Sequence, residues 1–303
     1  MRKIIIDTDT ATDDAIAIIM ALKCKKFDVL AITTVAGNVN IVQASLNALY
    51  TSELCGFKIP VYQGASSPLK RKLETSKFFH GKDGLGDTGP YMPKSKIRKS
   101  YAADRIISFL KKNPNEIEII AIGPLTNLAE VFKKDPKAFK LIRNLYVMGG
   151  IGEGKGNITE FAEFNFWVDP DAADIVLNTT INIKVVAWDV TQLYGFLDQE
   201  NFAELQKINN KISNFALNIQ RRALKYYQKK YKENKIDLAD PLAMAVMIDD
   251  SETLYKRCKI KIILDGEKRG RDTYKFTGSG NIKLATQVSR SNFLKLLKSS
   301  LKK

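Results

Sequence analysis

The chain has one histidine, His80, in 303 residues, and three cysteines, Cys24, Cys55 and Cys258. One histidine excludes a histidine-built metal centre. The odd, scattered cysteines show no spacing for a zinc site or a disulfide framework, so reduced structural thiols are expected. No run approaches the roughly 20 uninterrupted apolar residues that a membrane span needs. Met1 leads directly into a strand-like pattern with no signal-peptide character, and a cytosolic protein is expected. Low-complexity linkers and internal repeats are also missing. Acidic residues are the minority, 33 against 48 Lys and Arg, for a formal net charge of +15. That excess raises nucleic acid as a partner. Much of it lies in helical segments and at the chain end ("VFKKDP", "YYQKKYKENK", "LKLLKSSLKK"), where solvated faces account for it. Nucleic acid is therefore not expected, and salt-dependent retention on it would be the sign of the contrary.

What is present is alternation. Strand-like runs "KIIID", "DVLAITTVAG", "PVYQG", "IEIIAIG" and "NLYVMGG" are separated by helical patterns such as "DDAIAIIMALKC" and "PLTNLAEVFKK". After a loop at 151–168, "DPDAADIVLNT" reads as a helix and "IKVVAWDV" as a strand. Residues 198–232 read as mostly helical, with a further helix at 240–250. Three strands, "KIKIIL", "DTYKFT" and "IKLATQV", precede a basic final helix. This βα order predicts an α/β fold with an open, mostly parallel, doubly wound sheet, as one domain over residues 1–303. Ligands of such sheets gather beyond the carboxyl ends of the strands. Polar clusters in those places are the aspartates at 7–14, "GNVN" at 37–40, "GPLTN" at 123–127 and "MGG" at 148–150; "DP" at 240–241 opens a helix.

The first cluster is the most informative. "IIIDTDTATDDAIAI" puts Asp7, Asp9, Asp13 and Asp14 into eight positions behind an apolar strand. One aspartate there would be an ordinary helix-start acid, but four repel one another by several kcal/mol at reduced dielectric. A bound divalent cation removes the repulsion. Strand alternation puts Asp7 and Asp9 on one face, and the helix start brings Asp13 and Asp14. Oxygen ligands with no nearby His or Cys favour Ca²⁺ or Mg²⁺ over zinc.

"DTDTATDDAIAI", "AGNV", "HGKDGLG", "AIGPLTNLA", "VMGG", "NITEFAEFNFWVDPDAA" and "ADPLA", in this order over residues 3 to about 250, resemble the nucleoside hydrolases of the inosine-uridine type. The resemblance implies an open α/β sheet, a Ca²⁺ ion and hydrolysis of the bond between ribose and a nucleobase, in salvage. It implies that Asp9, Asp14, Asp240 and the main-chain carbonyl of Leu125 ligate Ca²⁺, and that Asp9 is the general base for the attacking water. Asp13 would take a ribose hydroxyl, and Asp7 would orient its neighbours or serve structure alone. Asn157, Glu163 and Asn165 would hold the ribose, with Asn38 nearby and Met148 against the sugar; the alternative is that these polar groups only stabilise their loop. A homo-oligomer, dimer or tetramer, is implied as well.

The chain departs from the pattern at the leaving group. Many relatives carry histidine immediately before the aspartate at 240, where this chain has Ala239. His80, in a Gly-rich loop, and Tyr227 and Tyr231, four apart on a helical pattern, are candidates for contact with the base. Two other classes compete. "DTDTA" superficially resembles the haloacid-dehalogenase phosphatases, but Ala11 stands where those carry Thr or Val, and the Asp13–Asp14 pair goes unexplained. A hydrolase fold kept only for binding a ligand or RNA is favoured by the charge and by Ala239, and opposed by the intact set of acidic and ribose-facing residues.

Overall fold

The computed structural model describes residues 1–302. Its strands are β1 (Arg2–Thr8), β2 (Phe27–Thr34), β3 (Val61–Gln63), β4 (Ile117–Ala121), β5 (Asn144–Met148), β6 (Ile183–Val186), β7 (Phe196–Leu197), β8 (Ile236–Asp237), β9 (Leu254–Ile262), β10 (Asp272–Phe276) and β11 (Ile282–Gln287). Among the described residues, nine form one sheet in the order β10-β9-β11-β6-β5-β4-β1-β2-β3. From β3 through to β11 all pairings are parallel; β9 is antiparallel to both its neighbours. The mostly parallel, doubly wound expectation holds.

Alternation along the strands builds two cores. Ile4 and Ile6 of β1 and Tyr146 and Met148 of β5 face one side, packed by helices Thr12–Lys23, Ala239–Ile248 and Arg290–Lys302. Ile5, Leu145 and Val147 face the other, beneath helices Ala102–Lys112, Thr126–Lys134 and Pro170–Leu177. A strand covered on both faces has no wet side, so its run reads as continuously apolar, as "IIID" does. Chain direction reverses its order between β1 and β4, where a crevice opens beyond the carboxyl ends.

Three local readings are corrected. "IKVVAWDV" is strand only to Val186; Trp188–Tyr194 is helical, its first amide donating to the Gly150 carbonyl at 2.9 Å. The stretch 151–168 is not all loop, because Phe164–Val168 is a short helix capped by Glu163. The two-residue pair β7–β8 is too short for periodicity to reveal. The cysteines are free, with Cys55 and Cys258 buried. No helix among the described residues is long and apolar enough to cross a membrane.

Candidate active site

A cavity of about 340 Å³ opens at the switch point. Its floor is acidic. Asp9 lies just past β1, where Asn38 N–H donates to its Oδ2 at 2.6 Å while its buried Oδ1 has no partner. Asp14 sits one turn into the next helix, where it accepts from Ala11 N–H at 2.9 Å and Thr8 Oγ1 at 2.5 Å. Asp13, Asp14 and Asp240 each bring an oxygen within 4.8 Å of the others. Asp240 comes from the start of helix Ala239–Ile248, so the floor joins residues more than 220 positions apart.

Electrostatics registers the crowding. Burial, then repulsion from Asp14, pushes Asp9 well above the carboxylate range and Asp13 up to about 7. Burial also raises Asp14, and burial followed by Asp13, Asp14 and Asp9 raises Asp240 strongly. Such a set is stable either protonated or around a cation.

Two glycines make room for it. A Cβ on Gly37 would stand 2.1 Å from Asp9 Oδ2, and one on Gly123 would stand 2.8 Å from Asp9 Oδ1. This is the physical content of the "GNVN" and "GPLTN" motifs. Gly37→Ala is accordingly expected to displace the Asp9 carboxylate and lower kcat/KM by about 10²-fold, since misplacement near 1 Å costs that much. A variant within threefold of the parent in steady-state kinetics would refute this.

The walls come from three other segments. Asn165 Nδ2 donates to the carbonyl of Met148 at 3.2 Å and to that of Ile122 at 3.4 Å. Glu163 accepts from the amides of Asn165 (2.7 Å), Gly150 (3.0 Å) and Phe166 (3.2 Å), and burial pushes it up to about 7. Asn157 accepts from Phe164 N–H at 2.9 Å. All three line the cavity with Asn38 and Met148. They thus stabilise their loop and face the space as well. His80 lines it too; Thr12 Oγ1 is 2.7 Å from its Nδ1, and burial lowers its pKa to about 3, leaving the ring neutral at pH 7. Tyr227 is buried and Tyr231 exposed at the rim, with ring centres 5.3 Å apart.

The Leu125 side chain packs into the core, and its carbonyl is the first acceptor of helix Thr126–Lys134, bonded by Ala129 N–H at 2.9 Å. Ile122, just after β4, lines the cavity. One expectation needs correction. Asp7 does not share a face with Asp9, because alternation ends with the strand. Its Oδ1 instead accepts from Thr33 Oγ1 (2.5 Å) and Asn127 Nδ2 (2.8 Å), and Asn127 also donates to the Thr34 carbonyl at 3.0 Å. Asp7 ties β1 to β2 and to the helix after β4. Sequence reading also missed Phe79, Tyr226 and Asp237, all cavity-lining; an aromatic pattern "FFH" facing "YY" was the available signal.

Residues 4–295 match the sequence model of a family described as inosine-uridine preferring nucleoside hydrolase. Uridine nucleosidase 1 of Arabidopsis thaliana is 31% identical, covering 100% of this chain and 94% of its own length. The inosine-uridine preferring nucleoside hydrolase of Crithidia fasciculata is 32% identical, covering 88% and 85%. A solved plant nucleoside hydrolase superposes with a TM-score of 0.95 at 33% identity over 99% of both chains. A purine-preferring ribonucleoside hydrolase from Gardnerella vaginalis superposes with a TM-score of 0.93 at 29% identity over 99% and 98%.

Proposed function

The chain belongs to the inosine-uridine preferring nucleoside hydrolase family and is thereby an N-glycosidase, and from that premise we propose that it uses Ca²⁺ to hydrolyse ribonucleosides to free base and ribose. The observation that carries the reading is the buried carboxylate floor beneath a cavity walled by amides on one side and aromatic rings on the other.

The residues fit the cation. Asp9 Oδ1 is buried without a partner, and the donor set is all oxygen, which suits a hard divalent ion; Ca²⁺ is the one the family resemblance implies. Asp9, Asp14 and Asp240 would hold it, together with the main-chain carbonyl of Leu125. When bound, the ion neutralises the carboxylates and acidifies a water. Asp9 takes the proton of the attacking water at its Oδ1. Asp13, partly open to the cavity, binds a ribose hydroxyl. Asn157, Glu163 and Asn165 orient the sugar, and the Glu163 charge faces the positive character that C1′ gains as its bond to nitrogen stretches. In the cytosol such an enzyme serves salvage, and a dimer or tetramer is the assembly we expect.

The test is ribose release from inosine, adenosine, guanosine, uridine, cytidine and p-nitrophenyl riboside, with Ca²⁺ and with chelator. Turnover of a natural nucleoside that stops on chelation is expected. Ca²⁺ binding by calorimetry with no ribose from any substrate would favour a binding role instead.

A further inference from the structure

We infer that Tyr227 and Asp237 together protonate the departing base, an inference that rests on the hydrolase reading above. A base leaving as an anion is a poor leaving group, and a positioned acid contributes typically about 10²- to 10⁴-fold. Ala239 has no proton to give. His80 is neutral and engaged with Thr12. On the aromatic wall, the Tyr226 hydroxyl is taken by Lys230 Nζ at 3.0 Å, and Tyr231 is 45% exposed to water.

Tyr227 differs from both. Its ring is buried, it lines the cavity, and its hydroxyl donates to Asp237 Oδ2 at 2.9 Å. Asp237 also lines the cavity, and its buried Oδ1 has no partner. The fold builds this pair deliberately: helix Arg221–Tyr231 stops at Lys232 with φ 60°, and the chain returns as β8, pinned to β7, beneath the tyrosine. An ionised Asp237 holds the phenol hydrogen away from the cavity. A protonated Asp237 donates to the phenol oxygen and turns that hydrogen toward the base.

In the step, the C1′–N bond breaks and its electron pair goes to the base nitrogen. The Tyr227 proton passes to the base, the Asp237 carboxyl proton passes to the Tyr227 oxygen, and Asp237 is left as carboxylate. The proton that Asp9 takes from water returns through solvent to Asp237, so one water is consumed. Burial, against the opposing Tyr227 and Lys235 and with a smaller push from Glu233, leaves Asp237 raised to about 6; Tyr231 against Tyr227 and Arg290 stacked on Phe196 of β7 complete the surroundings.

The experiment compares the parent with Tyr227→Phe, Asp237→Asn and the double variant on the best natural nucleoside and on p-nitrophenyl riboside, whose leaving group needs no proton. Each single variant is expected to lower kcat on the natural nucleoside by about 10²-fold, the double variant no further, and the loss on the nitrophenyl riboside to be at least about tenfold smaller. The natural-nucleoside rate of the parent rises as pH falls toward about 6, and Asp237→Asn abolishes that rise while Asp237→Glu restores part of it. Equal losses on both substrates, a change in KM alone, or no change would overturn the inference while leaving the hydrolase reading intact. A parent protein that cleaves neither substrate would sink both.

Discussion

Asp9→Asn is expected to lower kcat for ribose release by about 10⁴-fold without unfolding the protein, because it removes the general base and a cation-holding oxygen in one step. Asparagine is isosteric, and its carbonyl oxygen still accepts the Asn38 amide that now reaches Asp9 Oδ2. The new amide nitrogen replaces Oδ1, the buried atom without a partner, and presents hydrogens where an acceptor is required. Asp7→Asn is the control. Asp7 lies two residues away and is equally buried, yet its accepting oxygen faces Thr33 and Asn127 rather than the cavity. Its variant should stay within about tenfold in kcat, the range of an outer-layer effect. Steady-state kinetics on both proteins, with Ca²⁺ affinity by calorimetry, checks the pair. Comparable losses in the two variants would mean that the acidic cluster works as a scaffold and that Asp9 has no special part.

The same contrast shows what a linear reading can and cannot reach. Charge at the end of an apolar strand has no apolar partner to satisfy it, so Asp9, Asp13 and Asp14 declare themselves. Asp240 is marked locally only as a helix start, in "DP" at 240–241, and its place as a ligand emerges only through family resemblance. The sheet was legible because βα alternation permits few topologies. Strand alternation misplaced Asp7 because Asp9 lies beyond the strand, where the two-residue period no longer applies. A ligand such as the Leu125 carbonyl can be named only through resemblance for a different reason: a main-chain carbonyl acts through its position, and any side chain could carry it. "VVAWDV" suits strand and helix alike, and tertiary contact with Gly150 decides between them. Asp237 looks like one more charge in a polar stretch until the fold sets Tyr227 over it.

Chelation should destabilise the protein, and more so as pH rises. Without a cation the floor carboxylates have pKa values above those of an unfolded chain, Asp13 from 3.8 to about 7 and Asp9 and Asp240 upward by more than most carboxylates. Between those limits the folded protein binds more protons than the unfolded one, so unfolding free energy falls with increasing pH. On this account the contribution is complete below the unfolded pKa of 3.8, falls as pH rises from there, and for Asp13 is lost as pH passes about 7. Calcium reverses the sign, because it binds the ionised carboxylates and competes with protons for them. At a free concentration 100 times its Kd the ion contributes about 2.7 kcal/mol, which for a chain of this length corresponds to a Tm increase of about 4 °C. Differential scanning calorimetry at pH 5 and pH 8, with Ca²⁺ and with chelator, measures this directly. The Ca²⁺-induced increase should be larger at pH 8, where few protons compete. A Tm unchanged by chelation at pH 8 would mean that the cluster keeps its charge in check by sharing protons, and that the floor of the cavity works without a cation.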